Sequence, residues 1–67
     1  MYKQIKLDGT VSTVQRLSDQ AFIPLAPDNT DYANFKREIN DGKAQLQDAD
    51  GNLMTAEAAK QFVATLP

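Results

Sequence analysis

Two prolines three positions apart, in the segment Pro24-Leu25-Ala26-Pro27, impose the strongest constraint on how this chain can fold. Proline fixes φ and has no amide hydrogen to donate, so neither residue suits a helix interior or a central strand. The residues before Pro24 are therefore expected to end at the edge of a sheet. The four-residue segment itself is expected to be a stiff, extended connection that carries the chain across a sheet face.

The part of the chain before these prolines has the pattern of a β-hairpin. Apolar and polar residues alternate up to Leu7, and Asp8-Gly9 tolerate positive φ. The segment 10–17, which follows this turn, is rich in valine and threonine, as strands are. The alternation slips between Thr13 and Val14, which predicts a β-bulge at that point.

The segment Ala21-Phe22-Ile23 is a candidate third strand at the sheet edge. Phe22 is out of phase with its two neighbours, so it either faces outward from the edge or covers a small core under a helix. The sequence leaves these alternatives open, as it does for the exposure of Tyr2. Because an exposed aromatic residue on a strand edge is typical of a protein contact, Ala21, Phe22 and Ile23 are the candidate interaction residues.

Two amphipathic helices are predicted after the prolines. The first, at about 30–41, follows the N-cap residues of Asp28-Asn29-Thr30-Asp31 and ends near Gly42. The second, at about 55–66, begins at Thr55. Apolar residues recur at helical spacing in both, at Tyr32, Phe35 and Ile39 in the first and at Ala59, Phe62, Val63 and Leu66 in the second.

These patterns predict an α+β fold in which an N-terminal β-hairpin packs against two α-helices. Residues 1–67 are expected to form a single small domain. Its parts are a β-rich segment at 2–25, a helix at about 30–41, a turn or short hairpin at 44–54 and a helix at about 55–66.

The chain contains no cysteine and no histidine. A domain of this size buries only about 60% of the surface that its unfolded chain exposes, so its stability margin is expected to be thin. Disulfides are excluded, and the usual nitrogen and sulfur ligands of zinc are missing. A partner protein or a second copy of the chain is the remaining common source of stability.

The segment Gln47–Ala59 has some features of an EF-hand calcium loop. With Gly51 as the loop glycine, the candidate ligands are Asp48, Asp50 and Glu57. The first ligand position, however, falls on Leu46, and no entering helix precedes it. A hairpin loop over 48–51 explains the same residues by placing Leu46 opposite Leu53 or Met54. We prefer this second interpretation, so neither a metal nor a cofactor is expected.

Residue types also exclude several classes of function. No histidine base is present for the hydroxyl side chains, the aspartate pairs fall in turns and caps, and the glycines are isolated, so no enzyme is predicted. The net charge is −2, with +1 in residues 1–27 and −3 in residues 28–67, and no basic stripe exists for nucleic acid to follow. No apolar run approaches the roughly 18 to 20 residues that span a membrane, and Lys6 and Asp8 interrupt any secretory leader.

The segment 16–35, RLSDQAFIPLAPDNTDYANF, resembles a short module of tailed-bacteriophage proteins that is associated with tail-fibre and tail-assembly regions. The resemblance covers about 20 of the 67 residues. It rests on Arg16, Leu17, Ser18, Asp19, Ala21, Ile23, Pro24, Asn29, Asp31, Tyr32 and Phe35. Similar proteins often continue with a tryptophan and a proline-rich end, whereas this chain has Ile39 and a second predicted helix.

The resemblance implies a phage origin and a non-catalytic structural or tail-associated role in protein interaction, with no catalytic or ligand residue to carry over. The expected partner is a virion component, a second copy of the chain or a host protein. The expected location is the virion or the bacterial cytoplasm. A small host-directed inhibitor that binds a bacterial enzyme or defence complex is the alternative function.

Overall fold

Asp8 and Gly9 reverse the chain between the first two strands, as the sequence predicts. In this computed structural model, which describes all residues 1–67, β1 spans Tyr2–Leu7 and β2 spans Thr10–Arg16. Both turn residues have positive φ, 53° at Asp8 and 80° at Gly9. A two-residue turn of this kind twists in the same sense as the strands and so fixes the register of the hairpin.

The hairpin contains one β-bulge. Ile5 pairs with Thr13, but the next residue of β1 pairs with Val11, which leaves Ser12 without a partner. The bulge therefore lies about one residue nearer to the turn than the predicted position between Thr13 and Val14. Thr13 and Val14 both pair regularly with β1, so Ser12 is the extra residue.

The hairpin is part of a four-stranded mixed sheet with the strand order β3-β2-β1-β4. The third strand, β3, spans Ala21–Pro24, pairs antiparallel with β2 and lies at the edge, as predicted. The fourth, β4, comprises Leu46–Gln47 and runs parallel to β1 at the opposite edge. The pairing of β4 with β1 is not part of the sequence prediction.

The first helix, α1, spans Thr30–Asn40, one residue shorter than predicted. Its N-cap is Asn29, whose side-chain oxygen accepts a hydrogen bond from the Tyr32 amide at 3.0 Å. At the other end Gly42 has a φ of +73°, and the Lys43 amide donates to the Glu38 carbonyl at 2.9 Å. Gly42 is thus the left-handed residue of a Schellman cap, and the bond from Lys43 to Glu38 is the hydrogen bond that closes this motif.

The second helix, α2, spans Ala56–Ala64. It follows the predicted cap Thr55, whose hydroxyl accepts from the Ala58 amide at 3.1 Å. It ends two residues before the predicted boundary. The Leu66 amide still donates to the Val63 carbonyl at 3.1 Å, so the chain continues in a tight turn beyond the helix.

One core of nine buried hydrophobic residues lies between the sheet and the two helices. The ring of Tyr2 meets that of Phe35 edge to face, with 4.8 Å between the centroids. Tyr2 is 3% exposed, which settles its orientation. The predicted α+β class, with a hairpin and an edge strand packed against two helices, is confirmed. The core residues are Tyr2, Val14, Ile23, Tyr32, Phe35, Ile39, Leu46, Ala59 and Val63.

Candidate interaction surface

The helices cover one face of the sheet and leave the other open. Side chains alternate along each strand, so the neighbours of the buried residues Tyr2, Val14, Ile23 and Leu46 point to the opposite side. We call this opposite side the outer face. Its strand residues are Lys3, Ile5, Leu7, Thr10, Thr13, Gln15, Phe22, Pro24 and Gln47.

One row of the outer face runs across the whole sheet and ends in a large apolar residue on each side. Directly paired residues share a face, so the register defines the row, and the bridge between Gln47 and Leu53 extends it beyond β4. Phe22 is 65% exposed and Leu53 is 55% exposed. The row reads Phe22, Gln15, Lys3, Gln47, Leu53.

Met1 adds a third exposed apolar side chain to the outer face. Its carbonyl accepts from the Leu17 amide at 2.9 Å, which extends the β1–β2 pairing by one position. Its sulfur lies 3.1 Å from the side-chain nitrogen of Gln47, a residue of the outer face, and Met1 is 45% exposed. Phe22, Met1 and Leu53 are therefore all exposed on a face that no helix covers, with Phe22 and Leu53 at opposite ends of the row.

Carboxylates are absent from this surface. The four strands contain no aspartate or glutamate, and all nine acidic residues lie in turns, loops and helices. Among the strand residues of the outer face, Lys3 carries the one charge. Depletion of charge together with exposed aromatic and methionine side chains is the composition of the central part of protein interfaces.

The two edges of the sheet differ in how they are protected. Beyond β4, the Met54 amide donates to the Leu46 carbonyl at 2.9 Å and the Asp48 amide to the Asn52 carbonyl at 2.8 Å. The segment 52–54 thus covers that edge, and Leu46 lies opposite Met54 as the hairpin interpretation predicts. The β3 edge has no such covering segment, although Pro24 limits its capacity to pair with another strand.

The three candidate interaction residues differ in their exposure in the structure. Phe22 faces outward, which decides between the two orientations that the sequence left open. The structure corrects the prediction that Ile23 is an interaction residue. Ile23 is 1% exposed and packs in the core, where its side chain cannot contact a partner. Ala21 is half-buried, and its amide donates to a side-chain oxygen of Asp19 at 3.2 Å.

Three charged residues of the segment 16–35 meet beside β3. Arg16, at the end of β2, lies 2.8 Å from Asp19 in the β2–β3 turn and 3.4 Å from Asp31 in the first turn of α1. The hydrogen bond from Arg16, together with the Ala21 amide, lowers the pKa of Asp19 to about 2. The cluster ties the turn to the helix, and every charge in it has an opposite partner, so we assign it to the fold.

The structure does not assemble the candidate calcium ligands. One carboxylate oxygen of Asp48 accepts from the amides of Asp50 and Asn52, at 3.0 and 2.9 Å, and closes the loop as an Asx-turn. These amides, Asn52 first, lower the pKa of Asp48. No group of three acidic residues is placed to hold a metal ion. Asp50 and Glu57 are exposed, at the loop and in the first turn of α2 respectively.

A pocket of about 170 Å³ lies next to the β4 edge, between the end of α1 and the start of α2. Gly42 and Gln45 line it together with apolar residues, which include the buried Leu46 and the exposed Ala56. Its apolar lining residues are Ile39, Ala44, Leu46, Met54, Ala56 and Ala59.

Comparisons with models of protein families, with curated proteins and with solved structures give no match for this chain. Neither helix has the length and the hydrophobicity needed to cross a membrane.

The sequence did not point to Leu53 or Met1 as members of the surface. Leu53 reaches the outer face only because β4 joins the sheet and positions the segment after it. A partial signal existed in the hairpin interpretation, which set Leu46 against Leu53 or Met54. Only the second of these alternatives implies that Leu53 points the other way.

Proposed function

We propose that this chain is a non-catalytic protein-interaction module of the tailed-phage type, acting in the virion or during its assembly in the bacterial cytoplasm. It binds through the outer face of its sheet. The observation that carries the proposal is the exposure of Phe22, Leu53 and Met1 on a helix-free surface that bears one charged strand residue and no carboxylate.

Fully burying an apolar side chain of this size contributes about 1.5 to 3 kcal/mol. Phe22, Leu53 and Met1 are partly exposed, so each leaves part of that energy unused in the isolated chain. The domain has no disulfide to compensate for a small core. A partner on the outer face both removes this apolar surface from water and supports the fold.

The residues shared with the tailed-phage module stabilise the fold around β3. Asn29 caps α1, Arg16 joins Asp19 to Asp31, and Tyr32 and Phe35 fill the core. These contacts hold β3 and α1 in place, so the shared residues define the scaffold around β3. A module that shares this scaffold would present its β3 residues in the same way.

Location is the discriminating experiment. Purified phage particles should contain this protein in a fixed ratio to a tail protein when analysed by quantitative mass spectrometry. A host-directed inhibitor would instead be absent from the particles and would co-purify with a bacterial protein from infected cells. Absence from both the particles and every complex would contradict the proposal.

A matched pair of variants tests the surface. Phe22→Ala should lower the amount of the protein recovered in particles, because it removes the largest exposed apolar side chain of the outer face. Leu7→Ala is the comparison within the same face, since Leu7 is 67% exposed but lies at the hairpin turn, away from the row. Equal loss with both variants would mean that apolar exposure in general, and not the row that Phe22 begins, governs incorporation.

A further inference from the structure

Every glycine of the chain follows an aspartate, which gives three Asp-Gly pairs, at Asp8-Gly9, Asp41-Gly42 and Asp50-Gly51. Each pair lies in a turn, and in each the glycine has positive φ. In an Asp-Gly pair the glycine nitrogen can attack the aspartate carboxyl more readily than in other pairs, because glycine has no side chain to obstruct the approach. All three aspartates therefore have the local sequence for self-modification, and the fold distinguishes between them.

The reaction converts aspartate into isoaspartate and needs neither an enzyme nor a cofactor. The glycine nitrogen bonds to the side-chain carbonyl carbon of the aspartate, the amide proton and the carboxyl hydroxyl leave as water, and a cyclic imide forms. Water then adds to one of the two ring carbonyls. Opening at the side-chain carbonyl restores aspartate, whereas opening at the main-chain carbonyl leaves the chain joined through the side chain. The mass is then unchanged, but the main chain is longer by a carbon atom.

Two of the three pairs are held by hydrogen bonds at both of their amides. The Gly42 amide donates to a carbonyl of α1 at 3.1 Å, and the Gly51 amide donates to the Asp48 carbonyl at 3.0 Å. The amides of Asp41 and Asp50 also donate, at 2.9 and 3.0 Å. A glycine nitrogen held in this way must first break its hydrogen bond and rotate before it can attack the carboxyl group.

The turn between β1 and β2 lacks these restraints. Neither the Asp8 amide nor the Gly9 amide donates a hydrogen bond, and the Asp8 carboxylate forms no ion pair. Both residues are exposed. Asp8 has a φ of 53°, which is unfavourable for a residue with a side chain, so opening the turn relieves this strain. Exposed segments with few internal contacts are the ones that open at the lowest free energy.

We propose that Asp8 is a self-modification site of this chain, at which its carboxyl group condenses with the Gly9 nitrogen and the resulting isoaspartate opens the tip of the hairpin. A two-residue turn fixes the pairing of Leu7 with Thr10 because its twist matches that of the strands. A turn with an additional main-chain atom no longer has this geometry. The modification requires no partner and is independent of the function proposed above.

Peptide mapping of the purified chain after prolonged incubation in warm neutral buffer tests the site. Electron-transfer fragmentation in the mass spectrometer distinguishes isoaspartate from aspartate at each of the three positions. In the folded chain Asp8 should convert at least about fivefold faster than Asp41 or Asp50. This ratio corresponds to about 1 kcal/mol, the usual net value of the one hydrogen bond that each of the other glycine amides must break.

The chain unfolded in guanidinium chloride is the control. All three pairs have the same local chemistry there, so they should convert at similar rates. Asp8→Asn, Asp41→Asn and Asp50→Asn give a matched series, because a side-chain amide closes the same ring with loss of ammonia, and ring opening then raises the mass. Asp8→Asn should react fastest of the three variants when folded, and at a rate similar to the others when unfolded.

Equal conversion at the three positions of the folded chain overturns the inference, as does faster conversion at Asp41 or Asp50. Absence of conversion at Asp8 in the folded chain, over a period in which the unfolded chain converts, also overturns it. The isoaspartate form, separated by chromatography, should melt about 4 to 8 °C lower, the shift that loss of one net hydrogen bond causes in a domain of this size. An unchanged melting temperature would contradict the opening of the hairpin tip.

Discussion

Arg16 donates two parallel hydrogen bonds to Asp19, from Nε to Oδ1 at 3.0 Å and from Nη2 to Oδ2 at 2.8 Å. The pair spans the turn that delivers β3 to the sheet edge. Gln20, the last residue of that turn, has a φ of 60°, a backbone conformation that residues other than glycine rarely adopt. The bidentate ion pair therefore holds a strained turn, and with it the position of Phe22.

Asp19→Asn should reduce stability above pH 4 and flatten its pH dependence in acid. The Arg16 hydrogen bond lowers the pKa of Asp19 from 3.8 to about 2. A carboxylate with a lowered folded pKa stabilises above its unfolded value, and that contribution disappears as the pH falls through the folded value. Urea unfolding between pH 5 and about 2 should show the wild type converging on the variant.

The matched control for this change is Asp50→Asn, because the Asp50 carboxylate forms no ion pair and lies in an exposed loop. It should leave the acid profile as it is. Parallel profiles of Asp19→Asn and the wild type down to pH 2 would show that the ion pair does not stabilise the turn.

Tyr2→Phe should destabilise the domain by about 1 kcal/mol, the usual net value of a hydrogen bond. The change keeps the ring against Phe35 and removes the hydroxyl that donates to Glu38 at 2.9 Å. Burial and this hydrogen bond raise the pKa of Tyr2 to about 12. Tyrosine with a raised folded pKa stabilises below pH 10, so the advantage over Tyr2→Phe should shrink as the pH rises above 10 and reverse before pH 12.

Urea denaturation at neutral and alkaline pH measures both parts of this prediction. Phe35→Ala serves as the packing reference and should cost about 3 to 5 kcal/mol, since it opens a cavity under Tyr2. A Tyr2→Phe variant as stable as the wild type at pH 7 would assign the whole contribution of Tyr2 to its ring.

Gly42→Ala should cost about 1 kcal/mol through the backbone alone. Gly42 has a φ of +73°, which L side chains rarely adopt, yet a Cβ there would meet no atom within 4 Å. Lys43→Ala, at the next position of the same cap, should be close to neutral because its amide hydrogen bond to Glu38 is kept. Thermal unfolding of the two variants compares them directly; equal stability would mean that the cap relaxes at no cost.

Calcium should leave the melting temperature unchanged. Asp48 already uses one oxygen for two backbone amides, and Glu57 lies in the first turn of a separate element, α2. Binding at 100 times the dissociation constant would add about 2.7 kcal/mol of stability. Melting with calcium and then with a chelator decides the question, and a rise with calcium would restore Asp48, Asp50 and Glu57 as ligands.

Local chemistry made much of this fold predictable. Three features depend only on residues that are close in sequence, so the sequence pattern was enough to predict them. They are the Asp8-Gly9 turn, the Thr55 cap and the apolar stripe of α1. Pro24 likewise marked an edge strand correctly. Helix ends were less accurate because the last turns of both helices continue as tight turns.

Non-local pairing could not be predicted in the same way. The parallel contact of Tyr2 with Leu46 joins positions that nothing in either segment marks as partners, and it places Leu53 on the outer face. The link between Arg16 and Asp31 depends on how α1 crosses the sheet. Ile23 was misplaced because a three-residue strand has no alternation long enough to distinguish its inner face.

Hydroxyl-radical footprinting with mass spectrometry tests the central claim, that the outer face is the binding surface. Oxidation would be compared between the isolated chain at low concentration and the same chain in phage particles or in its complex from infected cells. We expect Phe22, Met1 and Leu53 to be protected in the assembled state, while Phe62, which is half-buried in α2 on the other side of the sheet, reacts equally in both. Unchanged oxidation of Phe22, with protection confined to the helices, would contradict the account.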